Sequence, residues 1–182
     1  EAIPEADRDK PRYFDEVTLD LPALRRVMAH YFATISHVDA QIGRILDVLR
    51  RRGLDNTVVI YTADHGDLMG YHHLLLKGDF LYEPLVRVPL VIADPADPRR
   101  FPCRRTTALV ESVDVTATIL DLAGACQPAG MQGRSLLPLL QGHTDEHRDA
   151  VFSQMCCTGM LMLHTERWKL IQAAKPRDRM LF

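Results

Sequence analysis

At 182 residues, with 47% hydrophobic side chains and a formal charge of -2, the chain is long enough to bury one domain-sized core. Twenty-two Lys and Arg against 24 Asp and Glu leave no basic excess, which argues against a dedicated nucleic-acid binder or an anionic-membrane binder. The four cysteines, at 103, 126, 156 and 157, show no CxxC spacing, so neither a disulfide scaffold nor a thiolate zinc site is expected, and the redox context leans cytosolic.

Residues 1–19 are rich in Pro and charge and read as an extended lead-in; EAIPEADRDKPR forms no signal peptide, and no apolar run approaches the length of a membrane span. From Asp20, a candidate N-cap followed by Pro22 in the first turn, apolar residues recur at helical spacing from Leu24 through Val27, Met28, Tyr31, Ile35, Val38, Ile42 and Ile45 to Leu49. Gly53 is the expected stop, and a helix of this length is expected to bend or break near Ser36 to Asp39. LDNTVVIYT and VPLVIA (88–93) then read as strands apolar on both faces, as central parallel strands are. Between them lie a polar loop and the segment LYEPLV, and a second helix is expected over 113–123, ending at Gly124. The rhythm over 20–148 predicts an α/β domain, a mostly parallel sheet with helices on both faces. Within it, 125–148 is loop-like, punctuated by Gly130, Gly133, Pro138 and Gly142, with an apolar turn at SLLPLL. In the last part, 149–182, VFSQM, MLMLHT and WKLIQA predict short antiparallel strands.

The chemistry concentrates in YTADHGDLMGYHHLLLKGDF, residues 61–80. Asp64 and His65 fall just past the end of a strand, where open α/β sheets present ligand-binding side chains, and Gly66 gives the backbone room for a sharp exit. A carboxylate oxygen beside an imidazole nitrogen suits one divalent ion, with Mn or Zn favoured and Ca possible, since Ca prefers oxygen alone. Lys77 adds a positive charge of the kind that neutralises a non-bridging oxygen of a sulfate, phosphate or phosphonate. His72 and His73 could give a proton to a leaving oxygen or hydrogen-bond the bound anion. Residue chemistry alone leaves another reading open, with Asp64 as a turn cap, His65 as a surface histidine and Lys77 as a solvated lysine. His30 and His37, seven apart on one helical stripe, are expected to be structural, and His143, His147 and His164 are weaker candidates than His72 and His73.

TVVIYTADHGDLMGYHHLLLKGDFLYEPLVRVPLVI resembles the C-terminal metal-site segment of the sulfatase and phosphonate monoester hydrolase family, within the alkaline-phosphatase-like superfamily. YFATISHVDAQIGRILDVLRRRGLDNT is similar to the long helix and turn that precede that strand in sulfatases. ESVDVTATILDLAGACQPAGMQGRSLLPLL is similar to a later family segment, and LHTERWKLI to a late family strand with Trp168 in the aromatic place. The likeness runs over about 25–172 and implies an alkaline-phosphatase-like fold, here incomplete. It makes Asp64 and His65 metal ligands, Lys77 a catalytic and substrate-binding lysine, and His73 a catalytic or substrate contact, while His72 stays a substrate-binding candidate on its chemistry alone. His65, where many sulfatases have Asn, favours a Mn- or Zn-type metal and activity on phosphonate or phosphate diesters.

The same resemblance implies a formylglycine nucleophile made from Cys or Ser in a Cys-x-Pro-x-Arg setting, and neither PCRR (102–105) nor MCCTG (155–159) fits it. A first pair of Asp ligands and an upstream His are likewise expected outside these residues. The expectation is therefore the C-terminal part of a hydrolase of small anionic esters, holding part of the metal and anion site but no nucleophile, and by itself inactive. Two rivals remain: a non-catalytic α/β fragment with a structural or interaction role, and a phosphatase or phosphomutase of the same superfamily with a Ser or Thr nucleophile and two metals.

Overall fold

The computed structural model describes residues 21–156, 158–173 and 179–182. The lead-in over 1–19, the Asp20 cap and Cys157 lie outside the described residues. The chain forms two compact units, one running to Thr57 and taking in Gly66–Gly78, the other comprising Val58–His65 and Asp79–Phe182. Among the described residues no helix is long and apolar enough to cross a membrane.

The first unit is dominated by α1, Leu21–Arg52, a single helix of 32 residues and therefore about 48 Å long at 1.5 Å per residue. Its expected break at Ser36–Asp39 does not occur. The hydroxyls of Thr34 and Ser36 bond back to the carbonyls of His30 and Phe32, at 3.0 and 3.1 Å, without opening the helical ladder. The stop falls at Gly53, which adopts φ 61°. There the Gly53 N–H reaches the Arg50 carbonyl at 3.2 Å and the Leu54 N–H the Leu49 carbonyl at 3.1 Å, closing the end as a left-handed glycine allows. Arg50, Arg51 and Arg52 set positive charge at the negative end of the helix.

In the second unit, β1 (Val59–Thr62) pairs with β2 (Leu90–Ala93), Val59 opposite Ala93 and Thr62 opposite Leu90. A short α2 (Glu83–Val86), with Pro84 in its first turn, lies between them in sequence. Then come α3 (Ser112–Leu122) and α4 (Leu137–Leu140). A four-stranded meander closes the chain: β3 (Ala150–Gln154), β4 (Leu161–Thr165), β5 (Lys169–Gln172) and β6 (Arg179–Leu181), each antiparallel to the next. Its inner face carries Val151, Met162 and Ile171, all buried, in the period-two alternation a one-sided sheet requires.

The expectation of a mostly parallel sheet is corrected here, because both sheets among the described residues are antiparallel. Apolar residues on both faces report that a strand is to be covered, not which way its neighbour runs. The connection from β1 to β2 holds only a one-turn 3-10 segment and the four-residue α2, with no crossover helix of the kind a parallel pair uses. Nor are the two strands buried: Tyr61 and Val91 are exposed. The fourth strand of the meander, β6, went unforeseen, whereas the other three lie where the alternation put them.

Candidate metal and anion site

β1 forms because Val58, Val59 and Ile60 are β-branched, and it ends where Ala63 and Asp64 leave the ladder. At that end Asp64 Oδ1 accepts the backbone N–H of His65 at 2.9 Å, a local turn that fixes the carboxylate beside the imidazole. Asp64 Oδ2 and His65 Nε2 stand 3.7 Å apart, with side chains 88% and 42% exposed. Two ligands on one ion, each at about 2.1 Å, lie at most about 4.2 Å from one another, so the donor pair fits a shared divalent ion. Four ligands are the usual minimum, and among the described residues no group of three or more His, Cys, Asp or Glu is close enough to hold a metal. The pair is thus part of a donor set.

Lys77 and His72 belong to the other unit, in the loop 66–78. This loop is tied across itself: the Leu68 N–H reaches the Leu76 carbonyl at 2.8 Å and the Gly70 N–H the Leu74 carbonyl at 2.7 Å. Asp67 accepts the Met69 N–H at 3.0 Å, which suits a loop-ordering role for that carboxylate. Leu68, Leu74 and Leu75 are buried, and a Cβ on Gly70 would sit 3.5 Å from Leu24 of α1, so the loop rides on that helix. Three of its non-glycine residues, Met69, His72 and Leu76, hold positive φ, at 44°, 50° and 61°. Such conformations cost about 1–2 kcal/mol each and persist only where the surroundings dictate them. His72 is buried with its ring 4.2 Å from that of Tyr71, while Lys77 is exposed. The His73 side chain lies outside the described residues.

A polar cluster that no sequence motif announced sits at the start of α3. The fully buried Asp114 carboxylate accepts the backbone N–H of Arg134 at 2.8 Å and of Glu111 at 2.9 Å, takes Arg148 Nε at 2.9 Å and Arg148 Nη2, and faces His147 Nε2 at 3.1 Å. Burial pushes the Asp114 carboxyl up, but the Arg148 guanidinium and the two backbone donors outweigh it and bring it down to about 2. Glu111 completes a capping box with Asp114, lies 3.3 Å from Arg148, and accepts the Phe152 N–H of β3 at 2.6 Å. His147 is thereby held within this cluster. Residue spacing carries little signal for this cluster, because its members come from three separate stretches, 111–114, 134 and 147–148. Nearby, the Thr118 hydroxyl accepts the Leu136 N–H at 2.9 Å. Gly133 is needed where it stands, since a Cβ there would lie 2.3 Å from the Val113 carbonyl oxygen.

A second ion pair, buried on the lysine side only, joins Lys169 of β5 to Glu83 of α2 at 2.8 Å. Burial lowers the Lys169 pKa against the pull of Glu83, whereas Glu83, pushed up by its own burial, ends below its ordinary value through Lys169, with His164 and Arg87 assisting.

The strand end, the loop and the α3 region find counterparts in known proteins. The sulfatase family model matches residues 2–125. Two solved structures superpose on 88% of the chain. One was determined in complex with its substrate D-glucosamine-2-N,6-O-disulfate, with TM-score 0.77 and 30% identity. The other is a phosphonate monoester hydrolase from Silicibacter pomeroyi, with TM-score 0.75 and 28% identity. An arylsulfatase of Clostridium perfringens is 36% identical over 134 residues, 72% of this chain and 28% of that protein. The fold and these matches define an enzyme-family scaffold of the alkaline phosphatase superfamily. Within it, the chain belongs to the sulfatase family. It spans 34% and 35% of the two solved chains, about a third of their length.

Proposed function

We propose that these residues form the C-terminal part of a metal-dependent hydrolase of sulfate esters or of phosphonate and phosphate diesters. The observation that carries this is the placement of Asp64 and His65 side by side immediately beyond β1, with donor atoms at a spacing one divalent ion can bridge. Asp64 supplies a hard anionic oxygen and His65 a neutral nitrogen, a donor pair that favours Mn or Zn over Ca. A metal held there supplies charge stabilisation and lowers the pKa of the attacking hydroxyl. Lys77 offsets the charge on the non-bridging oxygens, His72 helps to hold the anion, and His73 contacts substrate or gives its proton to the departing alcohol. The nucleophile, a formylglycine hydrate in this reading, and the remaining ligands lie outside these 182 residues.

The test uses the natural polypeptide as its source cells make it, assayed on an aryl sulfate and on a phosphonate monoester with manganese added. Asp64→Ala is expected to lose bound metal, measured by elemental analysis, together with activity. Lys77→Ala is expected to keep the metal and lose about 10²–10³-fold in kcat. Hydrolysis and metal content untouched by Asp64→Ala would overturn the assignment. Two metals per active site would move the protein to the phosphatase and phosphomutase branch.

A further inference from the structure

Lys77 stands between two left-handed residues, Leu76 with φ 61° and Gly78 with φ 72°. Glycine takes such a backbone freely, and leucine does not. The Leu76 side chain is 47% exposed, so its own burial does not drive it there. Its neighbours do. Leu74 and Leu75, directly before it, are buried, and the Leu76 carbonyl accepts the Leu68 N–H at 2.8 Å. That carbonyl belongs to the planar peptide group leading into Lys77, so the bond fixes the plane from which the lysine departs. The Gly70 N–H bonded to the Leu74 carbonyl at 2.7 Å adds a second tie, and Asp67 steadies the opposite limb through the Met69 N–H at 3.0 Å. All of these contacts lie within the loop 66–78. Strained backbone of this kind persists where the surroundings over-determine it, and it gathers at ligand clamps.

We propose that Leu76 is a positioning residue, whose left-handed backbone, locked by Leu68, sets the direction in which Lys77 leaves the loop. This rests on the hydrolase reading above and deepens it at the lysine. A lysine set in advance need not be recruited from a spread of loop conformations when the ester arrives. Its charge is in place as negative charge builds on the non-bridging oxygens. A right-handed or extended backbone at residue 76 would redirect the chain at Lys77 and open the bond from Leu68.

Leu76→Ile keeps the size and apolar character of an exposed side chain, but its β-branch disfavours the left-handed backbone. Leu76→Pro forbids it outright. In the natural polypeptide, assayed on an aryl sulfate with manganese, both are expected to lower kcat about tenfold or more with metal content unchanged and KM within about threefold. Leu76→Asn, a residue type that tolerates left-handed backbone, is expected to recover kcat to within about threefold of wild type. Added to Lys77→Ala, Leu76→Ile is expected to cost less than about twofold, because its effect runs through the lysine. Hydrogen exchange of the Leu68 amide reports the turn without reference to activity, and is expected to quicken in Leu76→Ile and Leu76→Pro but not in Leu76→Asn. Wild-type kcat in both Leu76→Ile and Leu76→Pro would overturn the proposal. So would Leu76→Asn as damaging as Leu76→Ile, which would give the role to the leucine side chain, or a full tenfold loss on top of Lys77→Ala. Full activity of Lys77→Ala would instead refute the hydrolytic role of the lysine itself, whatever the Leu68 amide shows.

Discussion

Replacing Asp114 by Asn removes one charge with almost no change in volume, and the structure sets the size of the effect. The carboxylate now accepts from two backbone N–H groups and two Arg148 nitrogens. An amide offers one acceptor oxygen and turns its NH2 toward donors, so at least two N–H groups lose their acceptor. Arg148, with its side chain 10% exposed, keeps its charge and retains Glu111 at 3.3 Å and the Gln132 carbonyl at 3.1 Å. Breaking a buried pair from one side costs about 3–5 kcal/mol, and the surviving Glu111 places this case near the lower figure. At a urea slope of about 2 kcal/mol per molar, the unfolding midpoint falls by about 1.5 M at pH 7. The pH dependence provides an independent check. The folded-state pKa is about 2 against an ordinary 3.8, so the carboxylate's contribution is full above about pH 4 and is lost as pH falls through 2. That contribution amounts to roughly 2 kcal/mol, and wild type and variant are expected to converge by this much between pH 5 and 2. A midpoint shift below about 0.5 M, or a stability difference unchanged across that pH range, would refute the reasoning.

Other changes test separate parts of the structure. Gly133→Ala drives a methyl into the Val113 carbonyl, 2.3 Å away; the expected loss is about 2–3 kcal/mol by urea unfolding. Leu76→Gly relieves a φ of 61° in the loop at an exposed position and is expected to leave stability unchanged or raise it by up to about 1 kcal/mol; a clear loss would show that the leucine side chain holds the loop. Lys169→Met removes the partner of Glu83, whose own burial then pushes its carboxyl upward, and an NMR titration is expected to show the Glu83 pKa rising.

How much could be read beforehand depended on whether a feature was local. α1 was legible because its apolar spacing and Gly53 lie in one continuous stretch, and Asp64 with His65 because a β-branched run points straight at them. Strand direction was not legible, since the runs around Ile60 and Val91 report burial and say nothing of the partner's polarity. β6 escaped because three residues, Arg179, Met180 and Leu181, show no alternation long enough to read. The Asp114 cluster escaped for another reason: Glu111 is its local capping partner, but Arg134, His147 and Arg148 reach it only by tertiary folding. Within the loop, the left-handed Met69, His72 and Leu76 run against the preference of their residue types, which no propensity argument predicts.

The carboxylate of Glu111 has one further consequence, for how the four-stranded sheet meets other chains. β3 is an outer strand of that sheet, and its Phe152 N–H is already taken by Glu111, which also faces Arg148. A strand arriving at β3 would have to displace a charged acceptor from two partners at once, whereas β6, the other outer strand, carries no such plug among the described residues. The sheet is therefore polar in the sense of growth: it is sealed at the edge nearest α3 and extensible at the other. Any strand added to it, from this polypeptide or another, would be placed beside β6.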